Sequence, residues 1–285
     1  MRIVYLIFCF AIIMTSLLIA NVSINQERGE KQMQETEPNK IVCDSNNIKI
    51  TVIYDNYSFK GSLETSWGFS CLITGTEKTI LFDTGGNGPL LLENMSKLAI
   101  VPNEIDLVIL SHAHWDHVNG VEMFLEKNHN VSVFVLESFP GEFKKMVSSY
   151  GAEIIEVEKH REICKGVFST GQLGTSIKEQ GLILRTEKGL ILITGCAHPG
   201  IVEMAGRTKD LFNENFLFVM GGFHLNAMSN KEVENIISKL KSLNVKYTAP
   251  CHCTGDSAIS LFEKHFGEQY VRIGTGKVIE IKELK

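Results

Sequence analysis

Ser111-His112-Ala113-His114-Trp115-Asp116-His117 brings three imidazoles and a carboxylate into a short run. His112 and His114 are two apart, so in extended backbone their side chains point the same way and can reach one metal ion. Asp116 and His117 come after the turn and can face a second ion beside the first. Imidazole and carboxylate ligands suit zinc, iron or manganese. The plainer alternative, a polar turn with Asp116 as a helix N-cap, does not explain four ligand-type residues this close together.

The elements around the run must place it. Asp106–Leu110 reads as a short buried strand and Val118–Leu125 as a helix, so the ligand-type residues occupy a strand-to-helix turn. The same arrangement recurs. Gly189–Thr194 is an apolar strand, paired with Gly181–Thr186 around Glu187-Lys188, and it ends in Gly195-Cys196-Ala197-His198-Pro199-Gly200. Phe216–Met220 ends in Gly221-Gly222-Phe223-His224-Leu225, and Tyr247–Ala249 leads to Pro250-Cys251-His252-Cys253-Thr254-Gly255. Upstream, Thr79–Phe82, hairpin-paired across Gly75–Lys78, runs into Asp83-Thr84-Gly85-Gly86. Helices are expected over Leu90–Leu98, Phe143–Tyr150, Lys231–Leu243 and Asp256–Phe266. Further strands are expected over Ile48–Tyr54, Val131–Val135, Ile154–Val157, Val271–Ile273 and Lys277–Ile281. Strands that cluster and then alternate with helices, twice over, point to an α/β layered domain.

His112-x-His114-x-Asp116-His117 resembles the signature of the metallo-β-lactamase superfamily, and the other strand ends resemble its remaining motifs. The resemblance implies a four-layer αββα sandwich with metals at the edge where strand ends converge. It implies that Asp83 orients the metal-binding loop through hydrogen bonds without being a ligand. His112, His114 and His198 would hold one ion, and Asp116, His117 and His252 the other. One position departs from the pattern. The superfamily commonly places an Asp just after the Phe216–Met220 strand, bridging two metals, whereas this chain has Gly222 and then His224. Either His224 replaces that Asp as a ligand, or it contacts substrate as a catalytic residue, or the second site is weak. Ser66-Trp67-Gly68-Phe69-Ser70 and the three His-bearing loops look like the group named after 7,8-dihydropterin-6-yl-methyl-4-(β-D-ribofuranosyl)aminobenzene 5′-phosphate synthase.

These motifs imply a metal-dependent hydrolase in which metal-activated water attacks an ester, phosphoester or amide, with Asp116 holding the water as well as a metal. The expected cofactor is a divalent metal, zinc first with manganese or iron as alternatives, one or two per chain. A dihydropterin-methyl transferase-type synthase and an iron-binding redox protein are the competing classes. Cys196 reads as a core thiol or a soft ligand, and Cys251 and Cys253 as packing residues or a local disulfide. A small-molecule substrate is expected. With Lys+Arg 28 against Asp+Glu 33 and a net charge of −5, no nucleic-acid partner is expected.

The 285 residues, 44% hydrophobic and 21% charged, suit one large domain, expected over residues 43–285. Residues 1–22 read as a signal peptide or membrane anchor, because Arg2 precedes an uncharged stretch from Ile3 to Ala20. Residues 23–42 are a polar linker. Basic before and acidic after, the stretch implies export, with the domain secreted or held at the outer face of the cytoplasmic membrane.

Overall fold

The computed structural model describes residues 42–285. The N-terminal apolar stretch and nearly all of the linker lie outside them. Among the described residues no helix is long and apolar enough to cross a membrane.

In chain order the strands are β1 (Lys49–Tyr54), β2 (Ser70–Thr74), β3 (Ile80–Phe82), β4 (Leu107–Ile109), β5 (Ser132–Leu136), β6 (Glu153–Val157), β7 (Lys159–Cys164), β8 (Val167–Gly171), β9 (Leu182–Thr186), β10 (Gly189–Thr194), β11 (Phe216–Gly222), β12 (Val245–Cys251) and β13 (Val278–Glu280). The α-helices are α1 (Gly88–Lys97), α2 (Trp115–Val118), α3 (Val121–Lys127), α4 (Gly141–Ser149), α5 (Ile201–Phe212), α6 (Asn230–Ser242) and α7 (Asp256–Phe266).

Two mixed sheets result. One runs β13-β1-β2-β3-β4-β5-β6 and the other β12-β11-β10-β9-β8-β7. Helices α1 and α4 pack on the first sheet, with α3 beside them, and α5, α6 and α7 on the second. This is the αββα layering expected from the motifs. Strand β10 shows why both faces of a sheet must be apolar here. Ile191 and Ile193 join the core shared with the first sheet, while Leu190 and Leu192 pack with Phe216, Ile237 and Phe262 under the outer helices. Alternate side chains point to opposite faces, so a strand covered on both sides reads as a continuous apolar run.

The site depends on strand direction. In the first sheet β3, β4, β5 and β6 run parallel, and in the second β10, β11 and β12 run parallel. Their carboxyl ends open toward the loops that carry Asp83, the His112–His117 run, His198, His224 and His252. Such crevices beyond parallel strand ends are where α/β proteins assemble sites.

Two expectations are corrected. Val118–Leu125 is not one helix: it breaks at Asn119-Gly120, where Gly120 N donates to Gly85 O at 3.2 Å. A Cβ at Gly120 would lie 2.0 Å from Thr84 O, so the chain must pass there without a side chain. Val271–Ile273 is not a strand; the segment makes an isolated bridge, Tyr270 to Thr248, and a Val271 N–H bond to Thr248 O at 2.8 Å. Strand β7 was not expected, because its half-exposed Lys-His-Arg-Glu-Ile-Cys sequence lacks the apolar signal of a buried strand.

Candidate metal centre

Five loops converge on one point. His112, Asp116, His117 and His252 are buried, His198 is half-buried, and His114 and His224 are exposed at the rim. The rings of His112, His114 and His198 lie 4.6–4.8 Å apart, centroid to centroid. His112 and His117 stand 4.2 Å apart, and His117 and His252 5.1 Å. Two groups of ligand atoms emerge, each within 4.8 Å of one another: His112, His114 and His198, and Asp116, His117, His252 and Cys196. These are the two sets expected from the sequence, with Cys196 added to the second.

The hydrogen bonds decide which nitrogen each ring offers. Asp83 Oδ2 accepts from His117 Nδ1 at 2.7 Å. Ser111 donates to Asp83 twice, through its backbone N–H and its hydroxyl, each at 2.7 Å. With its proton committed to Asp83, the Ser111 oxygen accepts from His112 Nδ1 at 2.9 Å. Glu179 Oε2 accepts from His198 Nδ1 at 2.9 Å, and Asn56 Oδ1 accepts from His252 Nδ1 at 2.9 Å. Four imidazoles therefore have Nδ1–H tied to an oxygen and Nε2 left as a lone pair facing the centre. That is the tautomer a metal ligand needs, fixed by neighbours that hold the ring in place. His112 Nε2 and His252 Nε2 are buried and make no hydrogen bond. Unsatisfied buried nitrogens are costly unless something else occupies their lone pairs, so the residues present fit a metal ion.

Electrostatics agree. Burial, then the neighbouring His117, pulls His112 down to about 3, and burial, then His252, does the same to His117. Both rings are neutral and able to donate a lone pair. Burial opposes ionisation of Asp116, yet His252 and His117 outweigh it and hold the carboxyl well below the usual range. Its Oδ2 lies 3.3 Å from His252 Nε2 and 3.6 Å from His117 Nε2. Burial pushes Asp83 up to about 7, opposed by His112 and the Ser111 donors.

Glu179 has no counterpart among the sequence expectations. Fully buried, its Oε1 accepts from the backbone N–H groups of Gly195, Cys196 and Ala197 at 3.1, 2.9 and 2.8 Å. Its Oε2 accepts from both His198 N and His198 Nδ1 at 2.9 Å. Glu179 thus holds the entire His198 loop. Asn56 and Ser111 also escaped notice, since each acts through a partner that only the fold supplies. Of the seven non-glycine residues with left-handed backbone among those described, Asp83, Ala197, His224 and His252 are on these loops. Such conformations cost of order 1–3 kcal/mol and persist where the surroundings hold them.

His224 lies beside the cluster, its ring 4.7 Å from that of His198, and it groups with Cys196 and His198 rather than with the second set. A hydrogen bond with Cys253 raises its pKa. Cys251 and Cys253 are both buried free thiols, so no local disulfide forms. Two exposed indoles, Trp67 and Trp115, border the site: Trp67 sits 5.0 Å from the His252 ring, and Trp115 directly precedes Asp116.

The model of the metallo-β-lactamase superfamily matches residues 68–252. A 7,8-dihydropterin-6-methyl-4-(β-D-ribofuranosyl)-aminobenzene-5′-phosphate synthase from Methanocaldococcus jannaschii is 31% identical over 284 residues, covering 82% of this chain and 97% of the relative. A solved metal-dependent hydrolase of the β-lactamase superfamily superposes with a TM-score of 0.68 at 30% identity, covering 82% of this chain and 98% of its own. A metallo-β-lactamase fold protein from Bacillus subtilis shares the fold at 15% identity, with a TM-score of 0.61 and 82% and 99% coverage.

Proposed function

The chain belongs to the metallo-β-lactamase superfamily, and on that footing we propose that it is a metal-dependent hydrolase acting on an ester, phosphoester or amide of a small molecule. The observation that carries this reading is the set of four imidazoles whose Nδ1–H groups are tied to oxygens while their Nε2 atoms converge. His112, His114 and His198 would hold one divalent ion, and Asp116, His117 and His252 a second. Bound there, the ions would supply Lewis acidity, lowering the pKa of a water and polarising the scissile oxygen.

The chain's own groups supply the rest. Asp116, buried and ionised, accepts a hydrogen bond from the attacking water and orients it. His224, exposed at the rim with a raised pKa, is placed to give a proton to the leaving group. Asp83, Ser111, Glu179 and Asn56 keep the rings from turning. Trp67 and Trp115 offer flat apolar surfaces beside the reacting centre, which suits a substrate with a planar portion.

A second reading rests on the 31% identity to the pterin synthase: transfer of a dihydropterin-methyl group to an arylamine with a diphosphate leaving group, the two ion sites binding the diphosphate. If the apolar stretch before the linker acts as an export signal or anchor, the domain would work outside the cytoplasm, where hydrolysis fits better than pterin synthesis. Zinc- or manganese-loaded full-length protein should be assayed against nitrophenyl acetate, bis-nitrophenyl phosphate and a nitroanilide, and separately with dihydropterin-methyl diphosphate plus arylamine. Chelator-sensitive release of nitrophenol or nitroaniline supports the first reading. Diphosphate release that depends on the arylamine supports the second.

A further inference from the structure

We propose that Cys196 is a metal ligand whose sulfur, as a thiolate, completes the ion site of Asp116, His117 and His252 and lies between that site and the His112, His114 and His198 trio. The inference rests on the two-ion reading above and adds a ligand to it.

Three observations carry it. First, Cys196 Sγ shares a ligand group with Asp116, His117 and His252, and shares another with His198 and His224. Among the described residues it is the member of the second set that also groups with a member of the first. Second, Cys196 Sγ is buried and lies 3.2 Å from His117 Nε2, the nitrogen left free when Asp83 takes Nδ1. The sulfur therefore faces the lone pair aimed at the second ion. Third, the end of β11 offers no carboxylate here: Gly222 has no side chain, and a Cβ there would lie 2.4 Å from Gly195 O and 2.8 Å from Cys253 Sγ. A longer side chain at Gly222 would collide with the loop that carries Cys196.

The thiol position is held firmly. Cys196 N donates to Glu179 Oε1 at 2.9 Å, so the carboxylate that fixes His198 also fixes Cys196. A thiol that coordinates a cation is deprotonated outright. Ion uptake at the second site then breaks the S–H bond, forms the metal–sulfur bond and releases one proton to solvent. A thiolate also sets preference: soft sulfur favours zinc over manganese or magnesium, so the second site should discriminate against the hard ions.

The test uses metal-free full-length protein titrated with cobalt(II), followed by absorption and by ion stoichiometry, alongside Cys196→Ser and Cys253→Ser. The expected result is two ions per chain and a thiolate-to-cobalt charge-transfer band in the near ultraviolet. Cys196→Ser should lose that band and weaken uptake of one ion by at least about 100-fold, the upper end of what losing a ligand's supporting partner costs. Cys253→Ser should keep the band. Two ions bound without any such band would overturn the Cys196 assignment and leave the two-ion reading intact. A band that survives Cys196→Ser but vanishes in Cys253→Ser would assign the sulfur to Cys253 and overturn it too. Failure of the wild-type protein to bind any ion would overturn the two-ion reading itself. Should Cys196→Ser fail to fold, X-ray absorption on the zinc-loaded wild-type protein counts sulfur scatterers directly: their presence supports a thiolate ligand and their absence refutes it.

Discussion

Replacing Glu179 by Gln tests whether one buried carboxylate holds the metal centre together. The change keeps size and shape but turns one oxygen into an NH2 group. Oriented toward His198, that group meets His198 N–H and Nδ1–H, both of which now donate to Oε2 at 2.9 Å. Oriented the other way, it meets the N–H groups of Gly195, Cys196 and Ala197 instead. Either orientation replaces at least two charge-assisted hydrogen bonds with opposed donors. Bonds to a charged group contribute about 1.5–3 kcal/mol each, so the loss is about 3–6 kcal/mol. At about 2–4 °C per kcal/mol for a domain of this size, the metal-free protein should melt roughly 6–24 °C lower. His198 also loses the acceptor that fixes its tautomer, and affinity for the ion at the histidine trio should fall about 10–100-fold. Thermal unfolding of the chelated protein reads the first effect and calorimetric zinc titration the second. A variant that melts within about 2 °C of wild type and binds zinc equally well would refute the role assigned to Glu179.

Three further outcomes follow from the same geometry. His112→Ala or His198→Ala should each abolish binding of the ion at the trio and any hydrolytic activity, as read by elemental analysis of purified protein; full metal retention in both would remove the basis of the site assignment. Gly222→Ala should lower stability by about 1–3 kcal/mol through overpacking, because the new Cβ would press on Gly195 O and Cys253 Sγ; an unchanged melting temperature would show that the strand end has room after all. Asp55 is fully buried, and burial raises its pKa from an ordinary 3.8 to about 6. The folded state thus binds this proton more tightly than the unfolded one, so its stabilising effect is complete below about 3.8 and is lost as pH rises through about 6. Asp55→Asn should flatten that dependence and leave the metal-free protein up to about 3 kcal/mol more stable than wild type at alkaline pH, measured by denaturant unfolding across the range.

The histidines were legible because each follows an apolar strand, and ligand-type residues at strand ends have few structural reasons to gather. The folded molecule places His112, His114, Asp116, His117, His198 and His252 in two adjoining groups on that basis. Local pattern and tertiary demand diverge at two places. Asn119-Gly120 continues a helical pattern, yet Gly120 must pass close to Thr84 O, and the helix breaks there. Strand β7 is half-exposed at a sheet edge and carries no apolar run, so pairing with β8 alone defines it.

What the sequence could not reveal is the choice of nitrogen. A ligating histidine usually has its other nitrogen held by a partner, and for His198 and His252 those partners come from far along the chain. Glu179 lies 19 residues before His198, and Asn56 lies 196 before His252. Neither sits in a periodic or motif-like stretch, and each is ordinary until β8, β9 and β12 bring it beside its partner. The same holds for Cys196, whose position two residues before a histidine is equally compatible with a core thiol. Its place among Asp116, His117 and His252 arises from convergence of the His198 loop on the His112–His117 turn and the end of β12. Candidate ligands are thus written locally, whereas the choice of ring nitrogen and the approach of the Cys196 sulfur to His117 are properties of the packed loops. Changes at Glu179, Asn56 or Gly222 should therefore alter metal binding although none of the three donates an atom to the ion.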